Sequence, residues 1–291
     1  MTSFGPLVST EWLAEHLQDD NLKIIDGSWR MPGQTPAIKD YAQRHIPGAV
    51  FFDIDAIADQ TSPLPHMLPS KAEFEHAVGA LGVSDTDRIV VYDDQGLFSA
   101  ARVWWTFRAM GDRNIAVLDG GLPKWTAEDR PLTAEATALP ATAYKASPVP
   151  ALCKSADAVR AALADNSAQV IDARPAPRFA GKAPEPRHGL RSGAMPGALN
   201  TPHATLLNED GTMRSPDALK AIFTATGADL SRPIITSCGS GVTAAVLSLA
   251  LEIIGHNTHG LYDGSWAEWG DARHDSKEFP VSPGGEIAKA Y

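Results

Sequence analysis

The chain is poor in several features that would place it in a special class. It has only two cysteines, Cys153 and Cys238, among 291 residues, which excludes a disulfide framework and a multi-cysteine metal site. It lacks the run of roughly 18 apolar residues that a membrane-spanning helix needs. Its formal net charge of −10 argues against a general binder of nucleic acid or anionic membranes. The first six residues have neither the basic region nor the apolar core of a signal peptide. We therefore expect a globular protein of a reducing compartment, the cytoplasm.

Signals for a metal or an organic cofactor are also missing. The His, Cys and Asp residues show no ligand spacing. The pair Gly239 and Gly241 is not a dinucleotide-binding fingerprint, because the third glycine and the later acidic residue are absent. We expect neither a metal nor a cofactor.

The chain contains an internal repeat. Four segments of the first half recur in the same order in the second half, at a nearly constant offset: 22–26 in 169–172, 45–50 in 194–199, 88–93 in 233–238, and 118–125 in 262–269. Solenoid repeats are far shorter. The offset therefore predicts two copies of one domain, at 1–130 and 151–291, joined by a linker at 131–150 that is rich in Pro, Ala and Thr.

Short β-branched runs alternate with helical patterns within each copy. Ser9, Ser70 and Ser215 are predicted helix caps, with Glu73 completing a capping box. Strands separated by helices predict an α/β fold in which helices flank a central parallel sheet in each domain. Ligands of such sheets bind beyond the carboxyl ends of the strands.

Cys238 follows an apolar strand pattern and precedes a helical one. The loop at 238–243 holds Gly239 and Gly241, which lack a Cβ, so its amides can turn inward around the sulfur. Backbone N–H groups and a helix N-terminus favour a thiolate, which is the nucleophilic form of cysteine. We therefore predict a nucleophilic Cys238 whose persulfide the same amides can stabilise. Cys153 has no such setting and is predicted to be structural or incidental.

A second segment concentrates positive charge in this acidic chain. Residues 172–191 contain Asp172 and Glu185 against five basic residues: Arg174, Arg178, Lys182, Arg187 and Arg191. Guanidinium groups form forked hydrogen bonds with carboxylates, so a small keto acid is a suitable ligand.

These motifs together resemble the tandem rhodanese-type sulfurtransferases. The resemblance rests on the repeat and on residues 45–67, 94–105, 172–187, 238–244 and 263–266. It implies two tandem rhodanese-like domains and sulfur transfer through Cys238. Gly239 and Ser240 stand where relatives that prefer thiosulfate carry basic residues, so the likeness is to members that use 3-mercaptopyruvate. It also implies a thiol acceptor, such as thioredoxin or a small thiol, or cyanide.

The resemblance implies roles for further residues. Arg178 and Arg187 would bind the carboxylate and carbonyl of the donor, together with the loop residues Gly239, Gly241, Val242 and Thr243. Ser240, His66 and Asp55 would assist the cysteine in proton transfer. Because His66 and Asp55 lie in the first copy, they would have to reach the second domain. Arg174 and Arg191 are expected to contact solvent or form structural ion pairs.

The first copy has no thiol at the corresponding place, where Asp93 falls near the cysteine position. We expect this copy to be catalytically silent. A cysteine-dependent phosphatase is disfavoured because Val242, Thr243 and Ala244 stand where its loop needs an arginine. Two alternatives remain, a thiosulfate:cyanide sulfurtransferase and a non-enzymatic sulfur-carrier or regulatory module. The first should have a strongly cationic loop, and the second needs no carboxylate-binding arginines.

Overall fold

The computed structural model describes residues 5–282 of the chain. These residues form two compact units. The first contains residues 5–61, 68–149 and 207–213, and the second contains 62–67, 150–206 and 214–282. The units thus follow the two repeats except at two short segments, 62–67 and 207–213, each of which belongs to the other unit.

Within residues 5–282, the first unit has a five-stranded parallel sheet. Its strands are β1 (Leu7–Val8), β2 (Leu22–Asp26), β3 (Ala49–Phe51), β4 (Arg88–Tyr92) and β5 (Ile115–Leu118). Its helices are α1 (Thr10–His16), α2 (Ala37–Gln43), α3 (Lys71–Ala80), α4 (Ala100–Ala109) and α5 (Gly121–Ala127). The strand order is β1-β5-β4-β2-β3.

The second unit repeats this arrangement among the described residues. Its strands are β6 (Cys153–Lys154), β7 (Gln169–Asp172), β8 (Leu199–Asn200), β9 (Ile234–Ser237) and β10 (His259–Tyr262). Its helices are α6 (Ala156–Asp165), α7 (Ala176–Phe179), α8 (Pro216–Ala225), α9 (Ala244–Ile253) and α10 (Ser265–Trp269). The parallel order β6-β10-β9-β7-β8 matches that of the first sheet. The predicted α/β fold with two parallel sheets is confirmed.

The predicted helix caps are present. The Oγ of Ser9 accepts a hydrogen bond from Trp12 N, and Ser70 and Glu73 form a complete capping box at α3. Ser215 caps α8, with Pro216 at the first helical position. Such side chains pair backbone N–H groups that the first turn of a helix leaves unsatisfied, which fixes where each helix begins.

Strand register aligns the two units residue by residue. Asp26 on β2 pairs with Tyr92 at the end of β4, and Asp172 on β7 pairs with Ser237 at the end of β9. The next residues, Asp93 and Cys238, therefore occupy equivalent positions.

Residues 131–149 contain no helix or strand but pack on the first unit. The hydroxyl of the buried Tyr144 donates a hydrogen bond to Asp112 Oδ2 at 2.8 Å, and Ala146 N donates one to Glu75 Oε1 at 2.8 Å. The composition of this segment predicts a linker. It does not predict these two contacts, which depend on individual residues. Among the described residues, no helix is long and apolar enough to cross a membrane.

Candidate active site

Cys238 lies between the end of β9 and the start of α9, at the carboxyl edge of the second sheet. Its predicted place at a strand-to-helix junction is confirmed. The residue is 2% exposed, and α9 is buried from Ala244 to Leu251. This buried helix and the buried strand fix both ends of the cysteine loop, residues 238–243.

Backbone hydrogen bonds attach the cysteine loop to α10. Trp266 N donates to the Cys238 carbonyl at 2.9 Å, and Ala267 N donates to the Gly239 carbonyl at 2.8 Å. Cys238 N donates to Ser265 Oγ at 3.2 Å. Ser265 adopts a left-handed φ of +49°, which a side chain disfavours. Its hydroxyl also donates to a backbone carbonyl at 2.8 Å. The repeated motif at 263–266 therefore supports the loop from outside.

The cysteine loop carries a series of unpaired amides. Within residues 5–282, no hydrogen bond is made by the N–H groups of residues 239–243. The loop turns through Gly241, whose φ of +79° lies in the region that glycine enters without strain. Amides that have no internal acceptor, on a loop that leads into a helix N-terminus, favour a negative charge. The arrangement suits a thiolate or a persulfide anion.

The equivalent loop of the first unit already encloses an anion. The Asp93 carboxylate, 0% exposed, accepts hydrogen bonds from the N–H groups of Gln95 at 2.8 Å, Phe98 at 2.7 Å and Ala100 at 2.8 Å. Burial raises the pKa of Asp93, and these three amides oppose that effect. The amides of this loop therefore bind a carboxylate of the protein itself.

Arg174 is fixed within a buried ion-pair cluster. Its guanidinium contacts Asp172 Oδ2 at 2.7 Å and Glu185 Oε1 at 2.8 Å, and all three side chains are no more than 2% exposed. It also donates to the Gly193 carbonyl at 2.8 Å and lies 4.0 Å from the centre of the Trp266 ring. The predicted structural role of Arg174 is confirmed.

Arg191 is likewise structural. Its Nη2 donates to the Trp269 carbonyl at 2.7 Å, and its Nε donates to the Gly270 carbonyl at 3.4 Å. These bonds tie the basic segment to the end of α10.

Arg178 reaches the cysteine loop. A Cβ built on Gly239 would lie 3.2 Å from Arg178 Nη2, so the absence of a side chain at 239 leaves room for the guanidinium. Arg178 Nε donates to Glu185 Oε2 at 3.1 Å, and Nη2 contacts the same oxygen. Glu185 therefore bridges Arg174 and Arg178, while the Arg178 side chain remains 23% exposed.

Arg187 is paired with His66. Arg187 Nη2 lies 3.3 Å from His66 Nε2, and His66 is 5% exposed with a left-handed φ of +60°. His66 belongs to segment 62–67, which is part of the second unit. His66 comes from the first repeat and nevertheless packs within the second unit, so this histidine reaches the second domain as expected.

The remaining predicted residues divide between the two units. Ser240, 5% exposed, lies on the cysteine loop with Val242 and Thr243. Asp55 belongs to the first unit, where its Oδ2 accepts a hydrogen bond from Trp29 Nε1 at 2.9 Å.

Sequence reasoning missed two supporting residues. Glu185 counted only as an acidic residue of the basic segment, and Ser265 only as part of a repeated motif. The signal for Glu185 is its place two residues before Arg187 in a loop rich in arginine. Among the described residues, no group of three or more His, Cys, Asp or Glu side chains is placed to hold a metal ion.

Comparison with known proteins agrees with this geometry. Residues 9–128 and residues 155–272 each match the rhodanese-like domain. The chain belongs to the rhodanese-like family.

Two curated members are similar to this rhodanese-like protein over nearly its whole length. The 3-mercaptopyruvate sulfurtransferase of Escherichia coli K12 is 46% identical, covering 95% of this chain and 97% of the relative. The thiosulfate sulfurtransferase of Rattus norvegicus is 43% identical, covering 91% and 92%. Overall identity therefore does not separate the two donors.

Among solved structures, SseA of Escherichia coli, a 3-mercaptopyruvate sulfotransferase with the rhodanese fold, superposes with a TM-score of 0.83. It is 44% identical, and the match covers 91% of this chain and 100% of SseA. The tandem rhodanese-like fold expected from the sequence is confirmed.

Proposed function

We propose that this protein is a sulfurtransferase that takes sulfur from 3-mercaptopyruvate, carries it as a persulfide on Cys238 and releases pyruvate. The observation that carries the proposal is the composition of the cysteine loop. Cys238 is followed by Gly239 and Ser240, which bear no positive charge, and the cation beside them is Arg178. The E. coli relative named 3-mercaptopyruvate sulfurtransferase supports the same donor.

The first half-reaction moves one sulfur atom to the enzyme. The Cys238 thiolate attacks the thiol sulfur of the donor, the S–S bond forms, and the C–S bond breaks with its electron pair on the carbon. The resulting enolate of pyruvate takes the proton that the thiol carried, which leaves Cys238 as a persulfide anion and releases pyruvate. The unpaired amides of residues 239–243 suit both anions of this step.

The second half-reaction returns the thiolate. A thiol acceptor, as its thiolate, or cyanide attacks the outer sulfur, and the S–S bond breaks with its electrons on Cys238. The products are the persulfide of the acceptor or thiocyanate. A covalent carrier of this kind gives ping-pong kinetics.

The arginines serve the donor. Arg178 lies against Gly239, and its forked guanidinium suits the carboxylate of a small keto acid. Arg187, which is held next to His66, would bind the donor carbonyl and place it near the imidazole. His66, Ser240 and Asp55 are proposed to guide the proton between the thiol and the enolate carbon.

The two units have different tasks in this proposal. The domain of residues 151–291 performs the transfer, residues 131–150 connect the domains, and the domain of residues 1–130 is catalytically silent. Support for the silence is Asp93, which has the place of the cysteine and already occupies the amides of its loop.

The requirement for a reduced Cys238 thiol indicates the cellular compartment. Cys238 is a free thiol, and the mechanism requires it to stay reduced. We propose a reducing compartment, the cytoplasm, with a thiol protein such as thioredoxin or a small thiol as acceptor.

Parallel turnover of 3-mercaptopyruvate and thiosulfate with one acceptor tests the proposal. We expect a kcat/KM for 3-mercaptopyruvate about tenfold or more above that for thiosulfate, because the dianion finds no compensating cation on residues 239 and 240. A preference for thiosulfate would instead assign the activity of the rat relative, thiosulfate sulfurtransferase. No turnover of either donor would favour a non-enzymatic sulfur-carrier module.

A further inference from the structure

We propose that Glu185 strengthens the preference for a singly charged donor, by positioning Arg178 and cancelling one positive charge beside the cysteine loop. This inference rests on the proposed function, because it takes Arg178 as the donor-binding group. Glu185 itself does not contact the reacting atoms.

The geometry of the ion-pair cluster explains how Glu185 positions Arg178. Arg174 is fixed on Asp172, on the Gly193 carbonyl and against the Trp266 ring. Its Nη1 holds Glu185 Oε1 at 2.8 Å, which leaves Oε2 for Nε and Nη2 of Arg178. A carboxylate that is 1% exposed and held by a buried arginine has little freedom. It therefore fixes the guanidinium of Arg178 against Gly239.

The four charged side chains of this cluster cancel one another. Arg174 and Arg178 carry two positive charges, and Asp172 and Glu185 carry two negative charges, so the cluster beside the loop is neutral. Arg178 can then offer directional N–H groups to one carboxylate, while this cluster adds no surplus charge that would attract a dianion. 3-Mercaptopyruvate carries one negative charge when its thiol is protonated, whereas thiosulfate carries two.

A neutral side chain cannot replace Glu185 in this position. Glutamine has one acceptor oxygen, and its NH2 group would face a guanidinium donor. Glu185→Gln therefore loosens one of the two arginines and leaves a net charge of +1. Both effects act on donor choice in the same direction, since the first weakens carboxylate binding and the second attracts the dianion.

The test is the ratio of kcat/KM for 3-mercaptopyruvate to that for thiosulfate in Glu185→Gln. Both donors are measured on one preparation, so the ratio does not depend on the fraction of active enzyme. We expect the ratio to fall by about fivefold or more, with thiosulfate turnover per Cys238 thiol increased. A smaller fall, no change or a rise in the ratio overturns the proposal.

Asp157→Asn is the matched control. Asp157 pairs with Arg160 on the surface of the same unit, and its side chain is 83% exposed, so this change should leave the ratio as in the wild type. If Glu185→Gln does not fold, Glu185→Asp carries the test. Its shorter carboxylate keeps the charge but does not span both guanidiniums. The KM for 3-mercaptopyruvate should then rise by about fivefold or more without a gain for thiosulfate, and an unchanged KM overturns the proposal.

Failure of the proposed function is a separate outcome. It would appear in the wild-type protein as a lack of 3-mercaptopyruvate turnover. Failure of the present inference would appear as an active wild type whose donor ratio does not respond to Glu185.

Discussion

Asp93 and Cys238 occupy the same position in the two sheets, one residue beyond the paired ends of β4 and β9. The carbonyl of each accepts a backbone hydrogen bond at 2.9 Å, from Leu122 and Trp266 respectively. The loop of the first unit binds the Asp93 carboxylate with its own amides. The loop of the second unit leaves its amides unpaired, so they can bind the thiolate or persulfide of Cys238. A single architecture thus gives a structural loop in one copy and a candidate catalytic loop in the other.

Asp93→Ala should destabilise the first unit. The change removes the acceptor of three amides, and because each buried unsatisfied N–H costs about 1 kcal/mol or more, we expect a loss of about 3 kcal/mol in the free energy of unfolding. Asp93→Asn keeps one acceptor oxygen and should lose less than half as much. Denaturant unfolding of both variants measures the difference. Equal stabilities for wild type and Asp93→Ala would show that the carboxylate does not support this loop.

The covalent carrier can be identified by mass. Incubation with donor alone should add about 32 Da, one sulfur atom, to a peptide that contains Cys238. Cys238→Ser should lose both the adduct and turnover, because the hydroxyl is a far weaker nucleophile than a thiolate. Cys153→Ser is the control and should retain both. An adduct on Cys153 alone, or full activity of Cys238→Ser, would contradict the mechanism.

The forked geometry of the arginines should matter more than their charge. We expect Arg178→Lys and Arg187→Lys each to lower kcat/KM for 3-mercaptopyruvate by about tenfold or more, equivalent to ~1.4 kcal/mol of transition-state stabilisation. Arg191→Lys is the comparison, since Arg191 donates to backbone carbonyls at the end of α10. Steady-state kinetics of the three variants measure these changes in kcat/KM. Equal small effects in all three variants would mean that neither Arg178 nor Arg187 binds the donor.

Gly239 should be sensitive to added volume rather than to backbone strain. In Gly239→Ala the new Cβ lies 3.2 Å from Arg178 Nη2, so the guanidinium must shift. We expect KM for 3-mercaptopyruvate to rise several-fold, roughly 3- to 10-fold, while the thermal midpoint stays near that of the wild type. Gly239→Arg with Ser240→Lys should go further and favour thiosulfate. A Gly239→Ala enzyme with unchanged KM would argue that Arg178 does not bind the donor from this position.

Asp26 should make the first unit less stable as pH rises. The side chain is 1% exposed, and burial raises its pKa from 3.8 to about 6. Because the folded protein holds this proton more tightly than the unfolded chain, the stability that Asp26 contributes is fully present below pH 3.8 and is lost as pH rises through about 6. The full difference amounts to about 3 kcal/mol.

Asp26→Asn removes this pH dependence. The amide can still accept the hydrogen bond that Ser28 N donates to Asp26 Oδ1 at 2.9 Å. The variant should therefore gain stability over the wild type at pH 8 and gain much less at pH 4. Unfolding at the two pH values measures the gain, and an equal gain at both would contradict the assignment.

Sequence patterns alone predicted the repeat, the α/β class, the helix caps and the place of Cys238. These are properties of local pattern, because alternating strand and helix periods and capping side chains act within a few residues. The structural ion pairs of Arg174 were also expected, because Arg174 lies outside the positions that the resemblance assigns to donor binding. Arg191 instead bonds to backbone carbonyls, which the sequence did not predict.

Which side chains contact one another depends on the three-dimensional fold. The unit to which segment 62–67 belongs, the pairing of His66 with Arg187, and the bridge that Glu185 forms between Arg174 and Arg178 depend on packing between residues distant in sequence. Likewise, the equivalence of Asp93 and Cys238 is uncertain by one residue in the sequence. Strand register settles it, because backbone pairing in a parallel sheet fixes which residues align.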